Sequence, residues 1–329
     1  MRREIAYLGN RYLWTYVIWP STLSALSEAI VMKLARIAFV LLGLFWGANF
    51  IYMKWAASSI TPMQIAFVRV FFGFLPLALV AWRRKVIEVR QMRHLHHFIV
   101  MGFGATAFYY FAITKGTALL PSGIAAVLGN AATLFTAIFS ALFLRTEKLN
   151  STMTFGVLLG FLGIVLIARP WEGASGAIEL SGVFWLLTSS LVLGLSYVYV
   201  RVFLTPLALP PLALATWQMG LAVVVLAAVT DFSGITRIFD DPLAATGLIV
   251  GGGILGTGVS FFLYYYLLDE FGAVASSGAT YMAPAVALLI GWAVGERFGL
   301  LEFAALVLII LSVVTLHLGR QRTLQRAVS

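Results

Sequence analysis

Apolar residues along this chain come in long unbroken runs, and the polar residues are collected in the short gaps between them. A helix crossing about 30 Å of hydrocarbon needs about 20 residues at about 1.5 Å each. Ten runs of that kind are predicted as helices: 34–53, 62–82, 97–114, 121–144, 152–168, 180–200, 210–230, 243–267, 272–294 and 300–318. Pro62, Pro121, Pro210, Pro211 and Pro242 stand at helix starts, where a missing N–H costs little. Pro76 and Pro284 fall inside spans and should bend them. The pattern predicts an all-α polytopic membrane protein with little chain left for a soluble domain.

The runs repeat. The stretch Pro121 to Lys148, a small-residue opening followed by a long apolar run and a Glu with a base after it, is spoken again from Gly272 to Arg297. The Glu147 and Glu296 ends match at an offset of 149 residues and the middles also fit at 151, with Thr133 opposite Pro284. Such internal repetition marks two copies of one membrane unit. Five spans per copy is an odd number, so the second copy enters the membrane in the opposite sense and the ten transmembrane helices form two inverted five-helix repeats. The expected division is a first repeat over 32–171, a second over 172–320 and a C-terminal tail over 321–329. Residues 1–31 read as an interfacial or wrongly included leader: the apolar patch from Tyr12 to Trp19 is too short to cross, and Met32-Lys33 resembles a natural start. Small residues one turn apart, as at Gly43/Gly47, Gly156/Gly160, Gly247/Gly251, Gly252/Gly256 and Gly291/Gly295, predict close helix packing.

Composition agrees with the pattern. The chain is 61% apolar and 11% charged, with a mean hydropathy of +0.97, against roughly half apolar and a quarter charged in soluble domains. The net charge of +9 would suggest nucleic acid in a soluble protein; here it is a topology signal, and no nucleic-acid partner is expected. With the first span entering from the cytoplasm, sixteen Lys and Arg lie inside, five (Lys54, Lys115, Arg169, Arg237, Arg297) lie outside, and Arg69 lies within a span. The excess places both termini in the cytoplasm. No cysteine is present, so disulfides and thiolate metal sites are excluded.

The stretch LFWGANFIYMKWAASSITPMQIAFVRVFFGFLPLAL resembles the opening of EamA-type carriers in the drug/metabolite transporter superfamily. Trp46-Gly47-Ala48-Asn49-Phe50, Pro62 and Arg69 stand where that family writes W-G-x-N-F, S-P and L-R-F. Gly194-Leu195-Ser196-Tyr197, Arg201, Pro210 and Trp217-Gln218 resemble its second opening, and Glu147 and Glu296 its G-E ends, with Thr146 in place of the usual Gly. Thr133 replaces a frequent span-four proline, so a straighter helix is expected there. The resemblance covers roughly 34–318 and implies a bacterial inner-membrane carrier, often an exporter of amino acids or other metabolites, with a cavity built from spans one, three, four, six, eight and nine. It implies no particular substrate.

A carrier site near the midplane should show polar and aromatic residues deep in the spans. Trp46, Asn49 and Met53 share one face of the first span, and Asn130, Thr133 and Ala137 one face of the fourth. Tyr110, Tyr197, Thr280 and Tyr281 complete the cavity candidates, with Ser190 and Gly194 beside Tyr197, Ser277 near Thr280, and Tyr265 a further possible lining residue. Each also has a plainer use, as an interhelical hydrogen bond worth about 0.6 kcal/mol or as packing. Arg69 is the one charge well inside a span. It either meets a substrate anion or serves as a structural charge on helix carbonyls or the interface. Pro284 supplies a helix bend.

All thirteen acids fall in tails, loops or span ends, so no carboxylate stands at a span centre to carry protons. His94, His96 and His97 lie in a basic loop without carboxylate or thiol, and read as a solvated loop; neither metal nor cofactor is expected. No HExxH, Gly-x-Ser-x-Gly or intramembrane Asp pair supports a membrane-embedded enzyme on lipid-linked substrates, and no ring of like residues supports a channel. Together with the resemblance, the residues read as a secondary transporter working by alternating access, an exporter of a small metabolite such as an amino acid, ahead of a membrane-embedded enzyme. An importer, or a carrier of drugs, nucleobases or sugars, is the alternative. Its expected partners are the lipid bilayer and the metabolite, and the sequence specifies no oligomeric state.

Overall fold

A computed structural model describes residues 21–144, 150–169, 171 and 178–328, with side chains for all of these except 21–32, 268–278, 281 and 320–328. Glu147 and Lys148, which close the first copy of the repeat, and residues 1–20 of the expected leader lie outside the described residues.

The described chain is helical throughout, with no strand. Span one is the helix Ser21–Ala56, so residues 21–31 continue it rather than standing apart. Span two is Pro62–Arg83, opened by Pro62 and by a reciprocal cap in which Thr61 and Gln64 satisfy each other's backbone N–H. Span three combines a 3₁₀ turn Val89–His94, helix Leu95–Met101, a π-helical stretch Gly102–Phe108 and helix Tyr109–Leu119. Span four is two helices, Ser122–Gly129 and Ala132–Phe143. Spans five, six and seven are Ser151–Ala168, Leu180–Tyr199 and Pro211–Val229, and span ten is Leu300–Val328.

Spans eight and nine comprise helix Pro242–Thr246, a π-helical stretch Gly247–Val259 and helix Ser260–Ala293. The contacts along them show that the chain turns back. Gly251 meets Tyr52, Gly256 meets Asn49, and the Tyr264 ring lies 5.9 Å from that of Trp46, so span eight descends span one. Gly43 then meets Met282 and Gly47 meets Val286, so span nine climbs it. A straight helix would carry Val286 about 33 Å from Tyr264, and Trp46 and Gly47 are adjacent. These contacts bracket the reversal between Tyr264 and Met282. Nine described stretches are long and apolar enough to cross a membrane, and Met282–Ala293 is a shorter apolar helix.

The packing is symmetric under exchange of the halves. The most extensive contacts join spans five and ten, one and nine, two and eight, three and six, four and six, two and seven, one and eight, and three and seven. Relabelling each span by its counterpart five places on returns the same set. The symmetry holds residue by residue: a Cβ on Gly102 would meet the Gln218 carbonyl, Leu221 and Ala222, and a Cβ on Gly253 would meet the Arg69 carbonyl, Phe72 and Gly73. Gly253 follows Gly102 by 151 residues, and the three partners on span seven follow those on span two by 149. Two five-helix units related this way, each crossing an odd number of times, are inverted copies about an axis in the membrane plane.

The expectation of a straight span four is not met. Asn130 and Ala131 interrupt it although Thr133 is no proline. The buried Ser190 hydroxyl of span six donates to the Leu128 and Gly129 carbonyls at 3.1 and 3.0 Å, satisfying groups that the break exposes.

Candidate functional site

Asn49 faces helix backbone. It is 2% exposed, and its Nδ2 donates to the Gly256 carbonyl at 3.2 Å. A Cβ on Gly256 would collide with the Asn49 amide, which fits because span eight presents glycine there. That Oδ1 is buried and accepts nothing among the described residues, an arrangement that costs free energy unless a further donor reaches it.

Arg69 sits one layer away on span two and is 7% exposed. Its Nε donates to the Thr257 hydroxyl at 3.3 Å and its Nη1 to the Met53 sulfur at 3.1 Å. Thr114 also donates to that sulfur, and Thr257 passes its own proton to the Gly252 carbonyl. The guanidinium carbon lies 4.6 Å from the centre of the Tyr110 ring. Among the described residues no carboxylate pairs with it. The weak thioether, one hydroxyl and an aromatic face hold a full positive charge.

The Tyr110 face leads into a group of phenols. Tyr110 packs against Tyr109 with ring centres 5.1 Å apart, and Tyr264 against Tyr265 at 5.9 Å. Tyr197, from span six, is close enough to interact electrostatically with all four, and Tyr109 with Arg69. Tyr197 is nonetheless 50% exposed. Tyr197 is thus half exposed on span six and within electrostatic reach of tyrosines on spans three and eight. Trp46 borders the same group through Tyr264. Spans one, two, three, six and eight thus converge there, from both halves.

The other sequence candidates lie elsewhere or outside view. Asn130 and Ala131 line a small crevice with Leu134, Gly160, Ile164, Ile309, Ser312 and Val313, between spans four, five and ten. Thr133 is half-buried one turn on, and its N–H donates to the Asn130 carbonyl. Thr280 is half-buried on span nine, Pro284 is buried in the same helix, and the Tyr281 and Ser277 side chains are outside the described residues. His97 hydrogen-bonds the Tyr199 hydroxyl at 2.7 Å, and no group of three metal-binding side chains forms among the described residues.

Tyr109, Tyr264, Thr257 and Met53's acceptor role were not singled out from the sequence. A weak signal existed: paired tyrosines occur in the mirrored spans three and eight. The acid of the repeat end also gains a purpose. Glu296 accepts from the Ser122 N–H at 2.8 Å, the Ser122 hydroxyl at 2.9 Å and the Gly123 N–H at 3.4 Å, capping span four with a charge that favours a helix N-terminus.

Comparison with known proteins matches the family model described as EamA-like transporter family to residues 33–169 and again to 180–318. The chain is 25% identical over 250 residues to the uncharacterized transporter YoaV of Bacillus subtilis (strain 168), covering 76% of this chain and 84% of that protein. It is 28% identical over 285 residues to the uncharacterized inner membrane transporter YedA of Escherichia coli (strain K12), covering 84% and 88%. A solved crystal structure superposes with a TM-score of 0.57 at 17% identity, over 88% of this chain and 98% of that one, a likeness of fold alone.

Proposed function

The chain belongs to the EamA-like transporter family, and we propose that it is a secondary carrier working by alternating access that exports a small metabolite such as an amino acid. The observation that carries this reading is the buried Arg69 against the Tyr110 ring, with half-exposed Tyr197 within electrostatic reach of the tyrosines of spans three and eight. A half-open polar cluster shared by two inverted halves is where a carrier holds its solute, and mirrored packing lets equivalent rearrangements open either side. Trp46, Tyr110 and Tyr197 line the site in this reading. Asn49 joins spans one and eight beside it, and Asn130, Thr133, Thr280 and Tyr281 act at the moving span-four and span-nine walls, where Pro284 bends the helix.

The chain is a multi-span membrane protein with a bacterial inner-membrane transporter among its relatives. Residence in a bacterial inner membrane is proposed from that relative, and the sixteen-to-five distribution of bases supports an orientation with both termini cytoplasmic. The repeats run over 32–171 and 172–320.

The test is counterflow. Purified protein in liposomes preloaded with unlabelled amino acids should concentrate the labelled compound transiently, with a rate that saturates. A flux linear in concentration, or none for any amino acid, nucleobase, sugar or organic acid, overturns the carrier reading.

A further inference from the structure

Within the carrier reading, on which this step rests, we infer that Arg69 is the anchor for a carboxylate on the transported solute, whose organic body lies among Tyr109, Tyr110, Tyr197 and Tyr264.

An arginine at mid-span is costly, about 2.5–3.5 kcal/mol on insertion scales, and is retained where it pairs with something. Here the protein supplies less than the guanidinium can use. Arg69 has five N–H donors; Nε goes to Thr257 and Nη1 to a thioether, which is a weak acceptor. No carboxylate reaches it among the described residues. The sequence reading puts the acids in tails, loops or span ends, and with no carboxylate at Arg69 among the described residues the counter-charge is assigned to a ligand. Chloride or water would meet a bare cation, but the surroundings are more specific. The planar fork suits a carboxylate bidentately, and the Tyr110 ring centre lies 4.6 Å from the guanidinium carbon.

The inverted repeat supplies an internal control. Gln218 follows Arg69 by 149 residues and Thr257 follows Thr106 by 151. Gln218 donates to the Thr106 hydroxyl at 2.8 Å, as Arg69 does to Thr257 at 3.3 Å. The helix-to-helix bond therefore needs only a neutral amide. The positive charge on the Arg69 side is surplus to the architecture, and that surplus points to a ligand.

The experiment uses four compounds with one phenyl body: 3-phenylpropionate, L-phenylalanine, phenethylamine and 3-phenyl-1-propanol. Their affinities for the full-length protein in detergent are read from the concentration dependence of its melting temperature. A charged hydrogen-bonded contact should favour at least one carboxylate over the amine and the alcohol by about 10- to 100-fold. Which carboxylate wins tells a simple acid from an amino acid.

Arg69→Gln, which installs the residue tolerated at the mirrored position, should erase the preference. Arg69→Lys should keep it in weaker form. Equal binding of all four by wild type, binding of none, or an unchanged preference in Arg69→Gln overturns the inference. Counterflow separates the two readings. Wild type that moves all four compounds alike remains a carrier without a carboxylate anchor. Wild type that binds carboxylates but never moves them has the anchor and is no carrier.

Discussion

The Nε of Arg69 on span two donates across 3.3 Å to the hydroxyl of Thr257, in the π-helical turn of span eight. The other half repeats the relationship with Gln218 of span seven and Thr106 in the π-helical turn of span three. Both hydroxyls are buried, and π turns are a recurrent feature of functional segments because they displace backbone groups from regular pairing. The halves share this joint and differ in its charge.

That difference is measurable in stability. Thr257→Val removes the acceptor of a charged donor, whereas Thr106→Val removes that of a neutral amide. Bonds to charged groups are worth about 1.5–3 kcal/mol and neutral ones about 0.5–1.5. Thr257→Val should therefore lower the melting temperature further than Thr106→Val. Equal losses would mean that the Arg69 charge finds another partner.

The joint between spans one and eight rests on Gly256. Gly256→Ala places a Cβ against the Asn49 amide, and overpacking of this kind costs about 1–3 kcal/mol. Asn49→Ala removes the obstacle along with one hydrogen bond. The double variant should be more stable than the sum of the single losses allows. Strict additivity in a thermal melt would show that the two residues do not meet.

Tyr197 and Asn49 should part company in function. Tyr197 is half exposed, so Tyr197→Ala should shift stability by no more than about 0.5 kcal/mol while raising the KM for transport several-fold. Asn49→Ala should lower stability by about 1 kcal/mol and act on transport through the spans it joins. A Tyr197→Ala protein with unchanged KM would remove Tyr197 from the site.

Glu296 caps the other half's span four, which fixes the effect of neutralising it. Glu296→Gln keeps the shape and loses the charge at the helix N-terminus, an expected cost of about 0.5–2 kcal/mol. Ser122→Ala removes one of the same contacts, so the double variant should cost less than the sum. Scanning calorimetry of the four proteins checks it.

The sequence by itself determined the helical class, the number of crossings and the two-copy plan. Each follows from local facts: run length against bilayer thickness, prolines at helix starts, and an offset of about 150 residues that persists along the chain. It also identified Arg69, because a charge in an apolar run stands out without any neighbour being known.

Tertiary structure decided which side chains share a space. Asn49 looked like a lining residue by helical face, and only the approach of Gly256 turns it toward backbone. Asn130 shares a helix with other cavity candidates, yet the break at Asn130–Ala131 leaves it beside a crevice toward spans five and ten. A carbonyl at that break accepts from a hydroxyl of Ser190, 61 residues downstream of Gly129, a partner that no local propensity records. Tyr109 and Tyr264 read as two aromatics among many, and only the packing of distant spans brings them within electrostatic reach of Tyr197. Periodicity fixes the face of a helix; what that face meets is settled by the packing of the other nine.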